Sequence, residues 1–518
     1  MRNIVVALLI ALLPYPAFAK KSTPPSPAQV AQEVRDYRLE NEDRIIRELS
    51  EFLSIPNIAS DTPNIQKNAA HLVEMLEARG IETHLLPISG RGPVVFGKLI
   101  APEAKRTVIF YAHYDGQPID PSAWTDGKPF EPVLRDAAIE AGGKRIPFPE
   151  NSAQHRAVYD DNWRIYARSS SDDKSPIVAL LAALDALREK KIPLSVNLKF
   201  IFEGEEEAGS TNLQRTLELH KNLLGADLLI TADGPVHQSG RPLVFFGNRG
   251  DIGIDVTLYG AVRALHSGHY GNWAPNPAME LSRLLTSMKD ADGRVLIEGY
   301  YDDVAPLGEV EKKALAEMPE NDADLERELG IARPEGGGKK LVELIMRPSL
   351  NIRGLRSAYV GGQAQNVVPD RAEASLEARL VKGEDPQKKF EQIAAFIEKQ
   401  GFYLIDHEPT MEERRAHARI ARVIYEGGYR ASRTPMDLPM SKAIVEVVRA
   451  AAGNNAVVMP SSGGSVPMYI FEDLGLQWVG VPIVNYDNHQ HSSDENLRLG
   501  QFWRGMEIYG AILADLNW

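Results

Sequence analysis

The stretch Val196-Asn197-Leu198-Lys199-Phe200-Ile201-Phe202-Glu203-Gly204-Glu205-Glu206-Glu207-Ala208-Gly209-Ser210 decides how the rest of the chain is interpreted. Its first residues are mostly apolar or aromatic, which predicts a buried strand. Glutamates dominate the part that follows. Open α/β sheets bind ligands at the carboxyl ends of their strands, and adjacent carboxylates repel one another unless a cation neutralises them. The stretch therefore predicts either a cation site at a sheet edge or, as the alternative, a solvated acidic turn.

Strands and helices alternate along the sequence around this stretch. Apolar runs predict strands over 82–86, 93–99, 106–112 and 227–232. Amphipathic or alanine-rich segments predict helices over 30–53, 69–79, 175–190 and 211–223. This alternation is typical of an α/β domain built on a mainly parallel sheet.

A different pattern occupies the middle of the chain, from residue 248 to residue 432. Its segments follow a β-α-β-β-α-β order in outline, which is typical of a ferredoxin-like α+β module. The segments are strands over 251–259, 372–380 and 402–407 and helices over 277–288 and 388–400. The acidic, glycine-rich stretch 302–340 is predicted to be irregular. Since the α/β pattern resumes near Asp437, we predict one domain over 20–247 and 433–518, interrupted by a second domain over 248–432.

Charge and cysteine content exclude several classes of function. The chain of 518 residues carries a formal net charge of −13, and no basic patch dominates, which argues against a nucleic-acid partner. It contains no cysteine. Disulfides, thiolate nucleophiles and cysteine-ligated zinc sites are therefore excluded.

The N-terminus has the layout of a secretory signal peptide. Arg2 precedes an apolar run from Ile4 to Leu13, and Ala17-Phe18-Ala19 offers an Ala-x-Ala cleavage site. A membrane anchor is the alternative, but the run is shorter than the roughly 18 apolar residues that a spanning helix needs. We therefore expect residues 1–19 to be removed and the mature protein to be exported without stable membrane insertion. In a Gram-negative host its location would be the periplasm.

Histidine and acidic residues follow predicted strands at several further places. His113 and Asp115 end one strand, where alternate side chains point to the same face. The further motifs are Asp172-Asp173-Lys174 before a predicted helix, Asp233 after an apolar strand, and His489 and His491 in a late loop. Each motif alone has a structural alternative, such as a helix cap or a solvated turn.

Together these motifs predict a metal site. Imidazoles and carboxylates suit Zn²⁺, with Co²⁺ or Mn²⁺ as alternatives. The acids and histidines are sufficient for two metal ions that share one bridging carboxylate. Such a pair of divalent cations can hold a water and stabilise an anionic intermediate.

In combination the motifs resemble a known family, the dinuclear zinc metallopeptidases and amidohydrolases. This family includes carnosinase-like dipeptidases, glutamate carboxypeptidase, aminoacylase and succinyl-diaminopimelate desuccinylase. The resemblance extends over nearly all of the mature chain and makes 248–432 an inserted lid and dimerisation domain on a catalytic domain. The metal ligands that it implies are His113, Asp172 as the bridging acid, Glu207, Asp233 and His491. It also implies that Glu206 is the general base and that Asp115 orients a ligand.

Further motifs are similar to the substrate-binding residues of this family. They are Leu265-His266-Ser267-Gly268, Asn366-Val367-Val368-Pro369, Arg379 and Gly463-Gly464-Ser465-Val466-Pro467. The resemblance implies that His266, in some members from the partner subunit, stabilises the oxyanion, and that Asn366 and Arg379 hold the substrate carboxylate. Gly464 and Ser465 are expected near the substrate. The structural alternatives are an exposed strand charge for Arg379 and a plain turn for the glycines.

Some features depart from the family pattern. Ala167-Arg168-Ser169 stands in place of the usual Gly-Arg-Gly, and Ser175 in place of a glycine. An additional loop over 137–161 is expected near the mouth of the site. These changes retain the implied metal ligands but do not identify the substrate.

The residues and the resemblance together predict a metal-dependent hydrolase that cleaves the amide bond of small peptides, as dipeptidases and carboxypeptidases do. A metal-activated water would lose its proton to Glu206, and Arg379 suits a terminal carboxylate. One alternative is a deacylase that acts on N-acyl amino acids. The other is a metal-binding homologue without catalytic activity. A homodimer through the inserted domain is implied by the resemblance.

Overall fold

The computed structural model describes residues 25–88, 90–151, 156–319 and 322–518. The expected signal peptide over 1–19 lies outside these ranges, so its prediction stays a prediction. Among the described residues, no helix is both long and apolar enough to cross a membrane.

Strands and helices follow one another in the expected alternation, with a change of order in the middle of the chain. The strands are β1 Glu82–Leu86, β2 Val94–Leu99, β3 Arg106–His113, β4 Val133–Arg135, β5 Arg145–Ile146, β6 Arg164–Tyr166, β7 Val196–Glu203, β8 Leu228–Thr231, β9 Leu243–Phe245, β10 Gly247–Asn248, β11 Gly250–Tyr259, β12 Leu265–His266, β13 Ser349–Arg356, β14 Val367–Val368, β15 Arg371–Leu380, β16 Tyr403–Ile405, β17 Ile420–Tyr429, β18 Ser432–Arg433, β19 Val457–Met459, β20 Trp478–Gly480 and β21 Asn496–Arg498. The α-helices are α1 Pro27–Leu53, α2 Thr62–Glu77, α3 Lys174–Glu189, α4 Leu213–Leu219, α5 Ser267–Tyr270, α6 Pro277–Met288, α7 Glu309–Ala316, α8 Asp322–Leu329, α9 Leu341–Ile345, α10 Pro386–Lys399, α11 Met411–Ala416, α12 Pro439–Ala451, α13 Met468–Asp473 and α14 Leu499–Asp515.

The main sheet has the strand order β1-β2-β7-β3-β8-β20-β9-β19. Its central strands β7, β3, β8 and β20 are parallel, whereas the strands on either side join them in antiparallel pairs. Successive residues of β3 are buried on opposite faces. Val108 and Phe110 pack with α1, α3 and α14, and Ile109 and Tyr111 pack with α4 and α13. The predicted α/β class is confirmed, with antiparallel strands added to the parallel centre.

The inserted part forms a second sheet in the order β13-β15-β11-β17-β16, with α6 and α10 packed on one face. Strands β13, β15, β11 and β17 are antiparallel neighbours and give the ferredoxin-like arrangement. The final strand of the motif is β17, whereas the segment predicted over 402–407 is the short edge strand β16. The strand predicted over 402–407 is therefore confirmed as β16. The strand that the sequence analysis missed is β17, whose pattern is hidden by the glycines at 427 and 428 beside a register shift.

The stretch 302–340 is not irregular throughout, because it contains α7 and α8. The sequence prediction was wrong here since both helices are short and rich in charge, which gives them a weak apolar period. Tertiary contacts stabilise such helices. Ala314 of α7 and the following Met318 are buried in the cores of the main sheet, so the inserted part also contacts the catalytic part.

The two parts of the chain are joined at the short antiparallel ribbon β10–β18, which we call the hinge ribbon. Gly247 pairs with Arg433 and Asn248 pairs with Ser432. The chain therefore leaves the main sheet and returns to it at adjacent positions.

A smaller sheet, β21-β6-β4-β5, positions two loops of the site. Because β21 pairs with β6, the loop 487–495 lies beside the loop 167–172. The additional loop 137–161 contains β5 and reaches the late histidine loop, where Glu140 Oε1 lies 3.5 Å from His489 Nε2.

Candidate metal centre

Strand β3 brings His113 and Asp115 to the carboxyl edge of the main sheet. Nδ1 of the buried His113 lies 3.1 Å from the carbonyl oxygen of Asp115 and 3.4 Å from its Oδ1. An imidazole whose Nδ1–H donates in this way leaves Nε2 free for a metal. The Asp115 carboxylate also accepts the backbone N–H groups of Glu206 at 3.2 Å and Glu207 at 3.0 Å. Asp115 therefore orients both His113 and the glutamate turn.

The glutamates after β7 have different environments. Glu206 and Glu207 begin a short helical turn, Glu206–Ala208, and Gln117 Nε2 donates to Glu207 Oε2 at 2.7 Å. The other two glutamates, Glu203 and Glu205, are fully buried and accept from other partners. Glu203 accepts the hydroxyl of Tyr111 at 2.6 Å, and Glu205 accepts a backbone N–H at 2.7 Å. The simple alternative of a solvated acidic turn does not describe this arrangement.

Asp172 lies between two histidines. Its Oδ1 is 2.8 Å from Nε2 of His113, and its Oδ2 is 3.2 Å from Nε2 of His491. The same His491 nitrogen lies 3.4 Å from Oε2 of Glu207. Two groups of possible ligands result, in each of which the ligand atoms lie within 4.8 Å of one another: His113, Asp173 and Asp233, and Asp172, Glu207 and His491. Asp172 contacts a histidine of each group, as an acid shared by two cations must.

Asp173 is a possible ligand that the sequence analysis did not assign. Its Oδ2 accepts the backbone N–H of His113 at 3.4 Å, and its Oδ1 is buried without a hydrogen-bond partner. A buried carboxylate oxygen without a donor requires either a proton or a cation. The second acid of the Asp-Asp-Lys motif was the available signal for this residue.

Burial and mutual repulsion shift the pKa values of these side chains. Burial raises the pKa of Glu207 to about 7 and that of Asp233 to about 6, with the charge of Asp172 as the next cause. Burial also raises the pKa of Glu206 well above its usual value. The hydrogen bond to Asp172 raises the pKa of His491 to about 9. Since a divalent cation favours the charged carboxylates and the neutral imidazole, its binding here is coupled to proton release.

The donor set fits divalent cations. Carboxylate oxygens and imidazole nitrogens are the ligands that Zn²⁺, Mn²⁺ and Co²⁺ accept. In the part of the chain that the structure describes, no lysine or arginine forms an ion pair with these carboxylates. The nearby Lys174 points away, and its Nζ donates to the carbonyl oxygens of Phe52 at 2.7 Å and Ile55 at 2.9 Å. The negative charge is therefore left for metal ions to neutralise.

Glu495 holds the loop that carries Asp172, a role that the sequence analysis did not find. It is fully buried. Its Oε2 accepts Arg168 Nη1 at 2.8 Å and the N–H of Ser169 at 2.9 Å. Its Oε1 accepts the N–H groups of Ser171 at 2.9 Å and Asp172 at 3.0 Å. The residue stands in the late loop that carries His489 and His491, but only the pairing of β21 with β6 brings it to its partners.

We expect Glu495→Gln to lower the free energy of unfolding by roughly 3–5 kcal/mol, because it leaves the buried guanidinium of Arg168 without its carboxylate. The amide also cannot accept all four donors, so the loop should loosen and bind metal more weakly. Denaturant unfolding of the metal-free protein and metal analysis measure the two effects. The control is Glu309→Gln, at a side chain that is 89% exposed. Unchanged stability and metal content would contradict this role.

Three of the five substrate residues expected from the sequence lie at the boundary between the inserted and catalytic parts. Nη1 of Arg379 donates to Oγ of Ser465 at 2.6 Å. The carbonyl oxygen of Gly464 accepts the backbone N–H of Arg249 at 3.0 Å, which fixes the glycine loop beside the hinge ribbon.

The other two expected substrate residues lie elsewhere on the inserted part. His266 and Asn366 are exposed. His266 ends β12 and Asn366 directly precedes β14, and the N–H of Ser267 donates to the carbonyl oxygen of Asn366 at 2.9 Å. Nδ1 of His266 accepts the N–H of Gly268 at 3.0 Å. Within the described ranges, neither side chain forms a hydrogen bond or ion pair with the candidate ligands.

Comparison with known proteins gives a family. The family model described as Peptidase family M20/M25/M40 matches residues 146–515. The human Beta-Ala-His dipeptidase is 26% identical, over 99% of this chain and 97% of its own length. The Cys-Gly metallodipeptidase DUG1 of Candida albicans is also 26% identical, over 91% of this chain and 94% of its own length.

A solved structure of the same type covers almost the whole chain. The M20 family metallo-carboxypeptidase Sso-CP2 from Sulfolobus solfataricus matches with a TM-score of 0.73 and 29% identity. The match covers 91% of this chain and 98% of that one. It includes the catalytic sheet and the inserted sheet alike.

Proposed function

This chain belongs to peptidase family M20/M25/M40 and is a metallopeptidase, and from this premise we propose that it hydrolyses small peptides, dipeptides first among them. The observation that carries the proposal is the position of Asp172 between His113 and His491. The names of the relatives, a Beta-Ala-His dipeptidase and a Cys-Gly metallodipeptidase, support a dipeptide substrate.

Two divalent cations, Zn²⁺ or alternatively Mn²⁺ or Co²⁺, are proposed as cofactors. His113 and Asp233 would hold one of these ions, and Glu207 and His491 would hold the other. Asp172 would be a ligand of both ions. When bound, such ions supply Lewis acidity to a water molecule and to the carbonyl group of the substrate.

Glu206 is proposed to move the proton. Its backbone N–H is fixed by Asp115 at 3.2 Å, at the edge where both ligand groups meet. A carboxylate there can accept a proton from the attacking water and then donate it to the leaving amine. The burial that raises the pKa of Glu206 also favours its protonated form after the first step.

Arg379 is proposed to bind the terminal carboxylate of the substrate. A guanidinium presents several N–H donors in a fixed plane, which suits a carboxylate. Its contact with Ser465 of the glycine loop, across the boundary between the inserted and catalytic parts, supports this role. This arrangement favours substrates with a free C-terminus.

A substrate panel tests the proposal. The metal-loaded protein should hydrolyse dipeptides faster than N-acetyl or N-succinyl amino acids, as the names of the relatives suggest. Both kinds of substrate carry a terminal carboxylate and release an amino acid, so the comparison tests the preference for an acyl half with a free amino group. Release of amino acids, measured by chromatography with added Zn²⁺, Mn²⁺ or Co²⁺, gives the result. Faster release from the N-acyl substrates would favour the deacylase alternative, and no release from any substrate would overturn the proposal.

We also propose a homodimer through the inserted part. The edge strand β13 exposes Ile352 and Leu355, and the loop after it exposes Tyr359 and Val360. Exposed apolar side chains on a strand edge are typical of an interface. A partner would also bring a second His266 toward the site. Sedimentation velocity measures the assembly, and a monomer at micromolar concentration would contradict it.

A further inference from the structure

A transverse row of polar side chains crosses the inserted sheet at the end near the hinge ribbon. Asp251 of β11 pairs directly with Arg379 of β15 on one side and with Tyr429 of β17 on the other. Ser349 of β13 continues the row beyond Arg379. Directly opposite residues of antiparallel strands project from the same face of the sheet. These four side chains therefore share one face.

The shared face is the one turned away from the helices of the inserted part. The next residues along the strands, Ile252 and Ala378, are buried in the core that contains α6 and α10. Strand alternation therefore directs the row to the opposite side. The contact of Arg379 with Ser465 shows that this side meets the glycine loop of the catalytic part.

Tyr429 has no role in the metal centre or in the core of the inserted part. Its side chain is half-buried, and its ring stacks on Tyr469 with a centroid distance of 5.3 Å and an interplanar angle of 17°. Burial raises the pKa of Tyr429, the charge of Glu206 raises it further, and a hydrogen bond with Ser465 opposes the shift. By strand pairing the side chain lies on the face of the sheet that also carries Arg379 and meets Ser465.

A β-bulge gives Tyr429 this orientation. Without a register shift, Tyr425 and Tyr429 would project from the same face, because they are four positions apart. The shift between Gly253 and Ile254 places Tyr425 opposite Ile254, on the helix-packed face. Tyr425 packs against Phe390 there, with ring centroids 5.1 Å apart and the ring planes tilted by 33°, whereas Tyr429 lies on the face that meets the glycine loop.

We propose that the Tyr429 hydroxyl is a further substrate-binding group, which together with Arg379 and Ser465 binds the terminal carboxylate of the peptide. This inference rests on the proposed peptidase function. A carboxylate has two oxygens and about four acceptor positions, more than Arg379 alone can fill. The two hydroxyls beside the guanidinium supply the additional donors, and the stack on Tyr469 keeps the phenol ring in place.

The test is Tyr429→Phe, with Tyr425→Phe as the matched control on the same strand. Loss of a hydrogen bond to a charged group should raise KM for a dipeptide about tenfold or more, with kcat within about twofold. The C-terminal amide of the same dipeptide should be hydrolysed equally by wild type and variant. Tyr425→Phe should change neither substrate, and thermal unfolding of the Zn²⁺-loaded proteins checks that both variants fold.

Two outcomes would overturn the inference. An equal fall in kcat for the dipeptide and for its amide would place the hydroxyl at the scissile bond instead. Unchanged KM for the dipeptide would mean that the hydroxyl does not contact it.

A binding measurement separates this inference from the proposed function. Calorimetry with a free amino acid and with its amide reports on carboxylate binding even if the wild type hydrolyses no peptide. Tyr429→Phe should weaken binding of the amino acid about tenfold or more and leave the amide unchanged. Equal affinity of wild type and variant for the amino acid, or no binding to the wild type, would contradict a carboxylate subsite.

Discussion

Glu206→Gln should lose most peptide hydrolysis, with kcat reduced by a factor of about 10² to 10⁴ or more, and keep its metal content. Glutamine has almost the same shape, but it cannot accept and return a proton. Its backbone N–H can still donate to Asp115, as in the wild type at 3.2 Å, so the turn should keep its geometry. Single-turnover kinetics and metal analysis of the same preparation measure the two quantities.

Glu207→Gln provides the sharpest contrast to this variant. The two residues are adjacent and both donate to Asp115, but only Glu207 contacts His491. We therefore expect Glu207→Gln to lower metal content as well as turnover. The exposed Glu218→Gln on α4 controls for the loss of one negative charge. If Glu206→Gln retained near wild-type turnover, the assignment of the base would be wrong.

Asp172→Asn should reduce the binding of both metal ions together. The two oxygens of Asp172 contact His113 and His491 separately, so replacing one oxygen with an amide nitrogen puts a donor where a cation needs an acceptor. Loss of a ligand that belongs to only one group would remove one metal ion and leave the other bound. We expect metal content well below one ion per chain after dialysis, with turnover reduced in proportion.

Metal titration by calorimetry distinguishes a ligand shared by both metal ions from a ligand of only one. Asp172→Asn should weaken both binding events, whereas Asp233→Asn should weaken mainly one of them, since Asp233 belongs only to the group with His113 and Asp173. Asp160→Asn, at an exposed position, serves as the control. Two undisturbed binding events in Asp172→Asn would contradict a shared ligand.

The main sheet and much of the metal centre could be predicted from the sequence because their signals are local. The sequence predicts strand β7 over 196–202, and the structure has it over Val196–Glu203. His113 and Glu207 each follow a buried apolar run. Carboxyl ends of parallel neighbours meet at one edge, so residues that are distant in sequence gather there. The choice of His113, Asp172 and His491 as ligands among these residues is what the family resemblance adds.

The missed features depend on contacts between distant segments. Strand β13 exposes most of its side chains on a sheet edge, so it has no apolar alternation to detect. Glu495 acquires its four donors only through the pairing of β21 with β6. Tyr429 lies on the face that meets the glycine loop only because of a β-bulge. Strand register and pairing between distant segments cannot be deduced from a local pattern of apolar and polar residues.

The hinge ribbon has a consequence for the history of this architecture. Asn248 and Ser432 are paired neighbours, so their Cα atoms are only about 5 Å apart. The inserted domain therefore occupies the place that the turn of a β-hairpin would occupy in the catalytic part. Folds tolerate added residues best in such turns. Apart from the contacts that the inserted domain makes with the catalytic part through α7, Arg379 and Tyr429, an ancestral platform could gain, lose or exchange the whole inserted domain by recombination at one turn, without altering the order of its strands.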